Sequence, residues 1–153
     1  MSKPLTISEF RQQSGPVFSD VVLGHRPRVI RRGRDDLGLL VGGDEMLAML
    51  ADRSFHPQVM RGDGSVSIWL PEFEIYGQGD TYAAAKEDLI GEVRVYVEEY
   101  IAHVDEYRRA PNRAAHLAHV IKAQLADIRG GLDDVIFPAP PDLATLQAAG
   151  AAT

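Results

Sequence analysis

The spacing of apolar residues divides the chain into short helices and β-hairpins. Near the N-terminus, Thr6 and Glu9 have the T-x-x-E spacing of a helix capping box, which predicts a helix that begins at the next residue. Gly15 and Pro16 interrupt the pattern, because proline lacks an amide donor and restricts the residue before it. We therefore expect two short helical pieces, the second of which ends at Gly24.

A β-hairpin is predicted to follow. Residues 28–32 (RVIRR) form the first strand, residues 33–36 the turn and residues 37–41 (LGLLV) the returning strand. The returning strand is apolar on both faces, so we expect it to be buried on both sides, as in a dimer interface. Two glycines end it, and Asp44 is expected to cap a short helix that carries Met46, Leu47, Met49 and Leu50.

A second hairpin and a long amphipathic helix come next. The GDG sequence at 62–64 predicts a tight turn between two strands, and the second strand should place Val66, Ile68 and Leu70 on one face. Residues 74–76 are compatible with a third strand, and the glycines at 77–79 predict a turn. Asp80 or Thr81 is expected to cap a helix that extends to about residue 107. Its apolar stripe consists of Leu89, Val93, Tyr96, Tyr100, Val104 and Tyr107.

The C-terminal part is predicted to contain one more helix and a tail. Pro111 and Asn112 break the chain and cap the helix, which ends at the glycines 130–131. One side of this helix carries Leu117, Ile121, Leu125 and Ile128. The segment after it contains three prolines and little periodicity, so it is not expected to form much core. It would instead expose apolar anchors at Val135, Ile136 and Phe137.

Composition indicates one globular domain or two small ones. The chain has 153 residues, of which 45% are hydrophobic and 25% charged. It has no cysteine, which excludes disulfides, zinc-thiolate sites and cysteine nucleophiles and fits a cytoplasmic location. The N-terminus has no apolar signal region, and no stretch of 18 apolar residues predicts a membrane span.

Charge is distributed unevenly along the chain. Residues 1–34 contain seven basic and two acidic residues, a net charge of +5, whereas the remaining 119 contain nine basic and twenty acidic residues, a net charge of −11. This asymmetry suggests a basic surface for a polyanion such as DNA and an acidic body for a different partner. Charged faces that are merely solvated are the alternative.

No arrangement of residues predicts catalysis, a metal or a cofactor. His116 and His119 share a predicted helix but have no third ligand nearby, so surface histidines are expected. The paired carboxylates fall on predicted exposed faces or in turns, and no phosphate-binding loop or nucleophile elbow is present. Trp69 is expected to be a core or packing residue. We therefore expect a protein that is not an enzyme.

The order of elements in residues 6–50 resembles the N-terminal domain of prevent-host-death (Phd/YefM) antitoxins. The sequences SEFR at 8–11, VIRRG at 29–33 and LLV at 39–41, together with Gly24, carry the resemblance. The pair Gly15-Pro16 and the RPR sequence at 26–28 depart from the family's pattern. The resemblance implies a helix–hairpin–helix domain that forms a homodimer and binds DNA.

Residues 64–81 resemble the HicB-like antitoxin domain. The strand at 64–70, the PEF sequence that follows it and GQGDT at 77–81 before an Ala- and Glu-rich helix carry this second resemblance. It implies a small β-β-α unit similar to double-stranded-RNA-binding domains. A DNA-binding unit like the one that ends HicB-like proteins is not recognisable, so the basic N-terminal domain would take that role.

We therefore expect an α+β protein with a Phd/YefM-like domain at 1–53, a HicB-like domain at 54–110 and a C-terminal helix and partner-binding tail at 111–153. The expected function is that of a type II antitoxin, which neutralises a cognate ribonuclease toxin by direct binding and autorepresses its operon. The alternative is a stand-alone dimeric transcriptional repressor or interaction module without a toxin.

Two sets of residues are expected to serve these functions. Arginine side chains suit phosphate oxygens and guanine edges, and the helix start near Ser8 offers amide donors. The expected DNA-binding residues are Lys3, Ser8, Arg11, Arg28, Arg31, Arg32 and Arg34. The expected toxin-binding residues are Leu125, Ile128, Asp133, Asp134, Ile136 and Phe137.

Overall fold

The structure is a computed structural model that describes residues 3–139. This part of the chain is α+β, as predicted, and it divides between Asp52 and Arg53 into two compact units. The expected tail from residue 140 onward lies outside the described residues.

The N-terminal unit has a three-stranded sheet and three short helices. Its sheet has the order β1-β2-β3, in which β1 runs parallel to β2, and β2 and β3 form the predicted antiparallel hairpin. Val17 and Val21 are its buried core residues. The elements are β1 (Leu5–Thr6), α1 (Ile7–Gln12), α2 (Ser14–Val22), β2 (Arg28–Arg32), β3 (Asp36–Leu40) and α3 (Gly43–Met49).

The predicted capping box is confirmed. The Thr6 hydroxyl accepts a hydrogen bond from the Glu9 amide at 3.2 Å, and the Glu9 carboxylate accepts one from the Thr6 amide at 2.7 Å. The hydrogen bonds from Thr6 hold the pKa of Glu9 below its usual value. The two helical pieces are also confirmed, but the break is at Gln13. Pro16 instead lies in the first turn of α2, where its missing amide hydrogen has no helical partner to lose.

One expectation for this unit is wrong. Gly42, not Asp44, is the N-cap of α3. Asp44 lies in the first turn, where its negative charge interacts favourably with the positive end of the helix dipole. The apolar face of β3 is exposed within one chain, and its expected burial in a dimer interface stays a prediction. Leu37 and Leu39 are 64% and 59% exposed, because none of the elements described between residues 3 and 52 covers their face of the sheet.

The C-terminal unit places a sheet against a long helix. The sheet is an antiparallel meander of order β4-β5-β6, and its buried face carries Val66, Ile68 and Leu70, as predicted. The elements are β4 (Gln58–Gly62), β5 (Ser65–Leu70), β6 (Ile75–Gly79), α4 (Tyr82–Ala102), α5 (Val104–Tyr107), a 3₁₀ turn (Ala114–His116), α6 (Leu117–Ile128) and α7 (Leu132–Ile136).

The predicted turn at 77–79 is wrong, because β6 continues through both glycines. The reason is the close approach of α4. A Cβ on Gly77 would lie 2.5 Å from the Ala85 carbonyl oxygen, and one on Gly79 would lie 2.6 Å from the Ala84 Cβ. The glycines therefore allow the helix to pack directly on the strand. Thr81 caps α4 as predicted, since its hydroxyl accepts a hydrogen bond from the Ala84 amide at 3.1 Å.

The long helix is confirmed as far as Ala102, where His103 separates it from α5. The predicted stripe is buried at Leu89, Val93, Tyr96 and Tyr100, whereas Val104 is exposed and Tyr107 is half-buried beside the core. Tyr107 packs edge-on against Tyr100 with ring centroids 5.2 Å apart. Trp69 is half-buried on the opposite face of the sheet, where it packs on Tyr76 with ring centroids 4.4 Å apart.

The prediction for α6 is wrong in its start and in its buried face. The helix begins at Leu117 after a 3₁₀ turn rather than at Asn112. Its buried residues are the smaller Val120, Ala123 and Ala126, because α4 packs closely against it. The predicted face is more exposed: Leu117 and Ile128 are exposed, and Ile121 and Leu125 are half-buried.

Candidate nucleic-acid interface and partner surfaces

The arginine residues of the N-terminal unit differ in how far their charge is already compensated. Asp20 pairs with Arg26 at 3.2 Å and with Arg28 at 3.5 Å. Arg32 pairs with Asp36 at 2.8 Å, directly across the hairpin in the strand register. Two carboxylates therefore pair with three arginines, which leaves a net charge of +1 in these two clusters.

The other basic candidates are exposed. The side chains of Arg11, Arg31 and Arg34 form no ion pair or hydrogen bond within residues 3–139, and Lys3 lies close enough to Glu9 to lower the pKa of that carboxyl group. Arg31 pairs in register with Thr6 and Leu37, on the exposed face of the sheet. These three arginines are available to an anionic partner.

The expected phosphate site at the start of α1 is already occupied. Ser8 is exposed in the first turn, but the carboxylate of Glu9 accepts hydrogen bonds from the Thr6 amide and the Thr6 hydroxyl there. The negative charge of Glu9 at this helix start disfavours a phosphate. The T-x-x-E spacing that predicts the capping box also places the Glu9 carboxylate at this position.

The charge asymmetry along the chain differs from the asymmetry between the folded units. Residues 1–52 contain seven basic and seven acidic residues, so the N-terminal unit has a net charge of zero. Residues 53–153 contain nine basic and fifteen acidic residues, a net charge of −6. The basic hairpin therefore lies in an N-terminal unit whose net charge is zero, and the C-terminal unit is acidic.

The exposed face of the N-terminal sheet is apolar around Arg31. Val29 pairs with Leu39 across the hairpin, and Leu37 lies next to them; all three are more than a third exposed. A face that combines three aliphatic side chains with one uncompensated arginine is suited to contact with another macromolecule.

The expected toxin-binding residues fall into three environments. Ile128 is exposed, as are Asp133 and Asp134, and the Asp133 carboxylate lies 3.6 Å from the Lys86 ammonium group. Leu125 is half-buried. The expectation that Ile136 is an exposed anchor is wrong: it is fully buried because α7 packs it into the core.

Phe137 is half-buried against the start of α4. The Lys86 ammonium group lies 4.7 Å from the centre of its ring, and the Tyr82 ring packs edge-on at 6.4 Å. The segment at 132–137 therefore completes the core of this unit, which the absence of periodicity did not predict. The apolar spacing of Leu132 and Ile136, four residues apart, is the signal that would have predicted a helical turn.

A groove between α4 and α6 was also not predicted. It has a volume of about 400 Å³. The bidentate ion pair between Arg94 and Asp127, with nitrogen–oxygen distances of 3.0–3.2 Å, lies along it. Exposed Ile101 and Ile128 also line it. The signal in the sequence was Ile101, which lies outside the apolar stripe of α4.

His116 is buried, contrary to the expectation of a surface histidine. Its Nδ1 lies 2.6 Å from the phenolic oxygen of Tyr96, and burial lowers the pKa of His116. Burial also raises the pKa of Tyr96 to about 12. His119 contacts the Ser54 carbonyl oxygen instead, at 3.0 Å, so the two histidines serve separate structural contacts. Residues 3–139 contain no cluster of side chains that could hold a metal ion.

The comparison with known families decides the class of protein. A family model described as PHD-like, an antitoxin of toxin–antitoxin systems of the RelE/RelB type, matches residues 1–136. The chain belongs to this antitoxin family. Because this is a family of antitoxins, the chain is not an enzyme.

A solved structure has the same fold as this antitoxin. It comes from Syntrophomonas wolfei subsp. wolfei and is described as the antitoxin part of a proposed toxin/antitoxin system. The two chains are 19% identical with a TM-score of 0.74, and the alignment covers 88% of this chain and 96% of the other. No curated protein is significantly similar to the antitoxin. Among its described helices, none is long and apolar enough to cross a membrane.

Proposed function

We propose that the antitoxin belongs to a type II pair, in which it neutralises a ribonuclease toxin by direct binding and represses its own operon. The observation that carries this proposal is the family match over residues 1–136. The acidic C-terminal unit supports the choice of a ribonuclease, because an enzyme that binds RNA phosphates presents basic side chains that an acidic protein can cover. The cytoplasmic location that the sequence suggests stays a prediction.

The N-terminal unit is the proposed operator-binding part, of the Phd/YefM type. Its order of helix, hairpin and helix supports this assignment, as do the uncompensated Arg11, Arg31 and Arg34. The exposed apolar face with Val29, Leu37 and Leu39 supports a homodimer, since pairing two such faces would remove them from water. Two copies would then present the basic hairpin twice, which matches a palindromic operator.

The C-terminal unit is the proposed toxin-binding part, of the HicB-like type. The meander followed by a long helix supports the resemblance, although the unit has three strands where the resemblance implies two. Exposed Ile128, Asp133 and Asp134 remain the toxin contacts proposed from the sequence, whereas buried Ile136 would act only by holding α7 in place.

Growth of cells that express the adjacent small open reading frame tests the toxin pairing. Arrest by that frame, relieved when the antitoxin is co-expressed, is the expected result. A harmless neighbouring frame would contradict the proposal and favour the alternative, a stand-alone dimeric repressor or interaction module. Expression of residues 1–52 alone, which form one compact unit, tests which part neutralises, and we expect it to leave the arrest unrelieved.

Operator binding is tested by titrating the antitoxin onto its own promoter DNA at several salt concentrations. We expect Arg31→Ala combined with Arg34→Ala to weaken binding and to flatten its salt dependence. Arg108→Ala combined with Arg109→Ala removes the same charge from the C-terminal unit and should leave the salt dependence unchanged. Equal effects of the two pairs would contradict the proposed DNA contact.

A further inference from the structure

The groove between α4 and α6 has an apolar floor and an incomplete rim. Val97, Ala123 and Leu132 form part of the floor and are buried. Ile101 and Ile128 stand at the rim with 44% and 79% of their surface exposed. Ala123 contributes only a small side chain to this lining, and the groove volume of about 400 Å³ can hold an inserted side chain.

The charges along the groove leave one carboxylate without a partner. Arg94 and Asp127 compensate each other through their bidentate contact. Glu98, which also lines the groove, forms no ion pair or side-chain hydrogen bond with any residue between 3 and 139. The net charge of the groove is therefore −1, in a unit whose overall charge is −6.

We infer that this groove is the contact surface for the toxin, which inserts an aliphatic or aromatic side chain over Ala123 and places a lysine or arginine against Glu98. This inference rests on the proposed function, since the toxin is the partner it names. The apolar floor selects the inserted side chain, and the uncompensated carboxylate favours a basic partner over an acidic one. A second copy of this chain fits less well, because its acidic unit would bring like charges together.

Affinity of the purified neighbouring gene product for full-length antitoxin variants tests the inference. Ile128→Ala removes apolar surface from the rim, and its high exposure means that the fold does not depend on it. We expect the dissociation constant to rise about tenfold or more, because the inserted side chain of the toxin would bury this exposed aliphatic surface. Leu117→Ala is the matched control, because it removes an exposed aliphatic side chain from the same helix outside the groove.

Charge reversal supplies an independent pair of variants. Glu98→Lys and Glu99→Lys change the net charge equally and lie at adjacent positions of α4, but only Glu98 lines the groove. We expect Glu98→Lys to weaken binding about tenfold and Glu99→Lys to weaken it less than about threefold, because the remaining long-range effect is screened by salt. Unchanged Trp69 fluorescence verifies that each variant is folded.

The possible results distinguish a failure of the proposed groove contact from a failure of the proposed function. If the wild-type antitoxin does not bind the neighbouring product, the proposed function fails and the inference fails with it. If the wild type binds and the variants Ile128→Ala and Glu98→Lys bind as tightly as their controls, the toxin pairing stands and the groove is not its contact. Loss of self-association in those variants, measured by light scattering, would assign the groove to a second copy and overturn the inference.

Discussion

Replacement of Gly77 by alanine tests the close contact between β6 and α4. The added Cβ would lie 2.5 Å from three atoms of the helix: the Ala85 carbonyl oxygen, the Leu89 amide nitrogen and the Leu89 Cβ. None of these atoms is the end of a flexible side chain, so the helix itself must move away from the sheet. Overpacking of this kind costs about 1–3 kcal/mol, and the rigidity of the contacted atoms places Gly77→Ala at about 2–3 kcal/mol.

Urea denaturation followed by Trp69 fluorescence measures this cost. Trp69 is the single tryptophan of the chain and lies on β5, beside β6, so its emission reports on the C-terminal unit. With a denaturant slope of about 1–2 kcal/mol per molar urea, the midpoint should fall by about 1–3 M. A slope equal to that of the wild type would verify that stability, rather than the compactness of either state, has changed.

Gly91→Ala is the control with the opposite expected sign. Gly91 lies in the middle of α4, and a Cβ at this position meets no atom within 4 Å. Alanine should therefore stabilise the helix by about 0.5–1 kcal/mol and raise the midpoint. If Gly77→Ala unfolds at the same urea concentration as the wild type, or at a higher one, the close approach of α4 does not require glycine in β6.

Three further outcomes follow from individual contacts. Burial holds the pKa of His116 below its ordinary value near 6.5, so below that pH the unfolded chain binds more protons than the folded one. The free energy of unfolding should therefore fall as the pH decreases from 6.5 toward the folded-state pKa. His116→Gln should remove this part of the pH dependence, which Trp69 fluorescence measures in urea denaturations. Asp127→Asn breaks the half-exposed pair with Arg94 and should cost about 0.5 kcal/mol, and less in 1 M NaCl, in urea denaturations at both salt concentrations. Thr6→Ala removes the N-cap of α1 and should destabilise the N-terminal helix by about 1 kcal/mol, measured as faster hydrogen exchange of the α1 amides, whereas Ser14→Ala, without a capping bond, should not.

Local signals predicted those elements whose cause lies within a few residues. The capping box of Thr6 and Glu9, the two hairpins and the buried alternation of Val66, Ile68 and Leu70 depend on neighbouring residues or on the alternation of a single strand. The antitoxin function could be predicted in the same way, because the order of motifs in the first 50 residues is itself a local pattern. The family match confirms that the chain is an antitoxin.

Contacts between distant elements account for the errors. Glycines at 77 and 79 have the local signature of a turn, but α4 requires them in a strand. On α6 the larger aliphatic residues suggested the buried face, whereas close packing against α4 selects Val120, Ala123 and Ala126. The groove between these helices follows from the same packing, so no pattern within one helix could have predicted it.

The count of basic residues in the sequence overestimates the charge that is free to bind DNA. Arg26, Arg28 and Arg32 already form ion pairs with Asp20 and Asp36 in the fold, and these two carboxylates compensate two of the three positive charges. The salt dependence of operator binding tests this reasoning and counts the copies of the chain on the DNA.

Each phosphate contact contributes about 0.9 to the slope of log K against log salt. Three uncompensated arginines per chain give a slope of about −2.7 for one copy and about −5.4 for two. One chain that used all six basic residues of the proposed interface would also reach about −5.4, so the slope alone does not distinguish these cases. The change in slope does: replacing Arg31 and Arg34 by alanine removes about 1.8 if one copy binds and about 3.6 if two bind. A change near 1.8 would refute the dimer on DNA, and an unchanged slope would show that neither arginine contacts a phosphate.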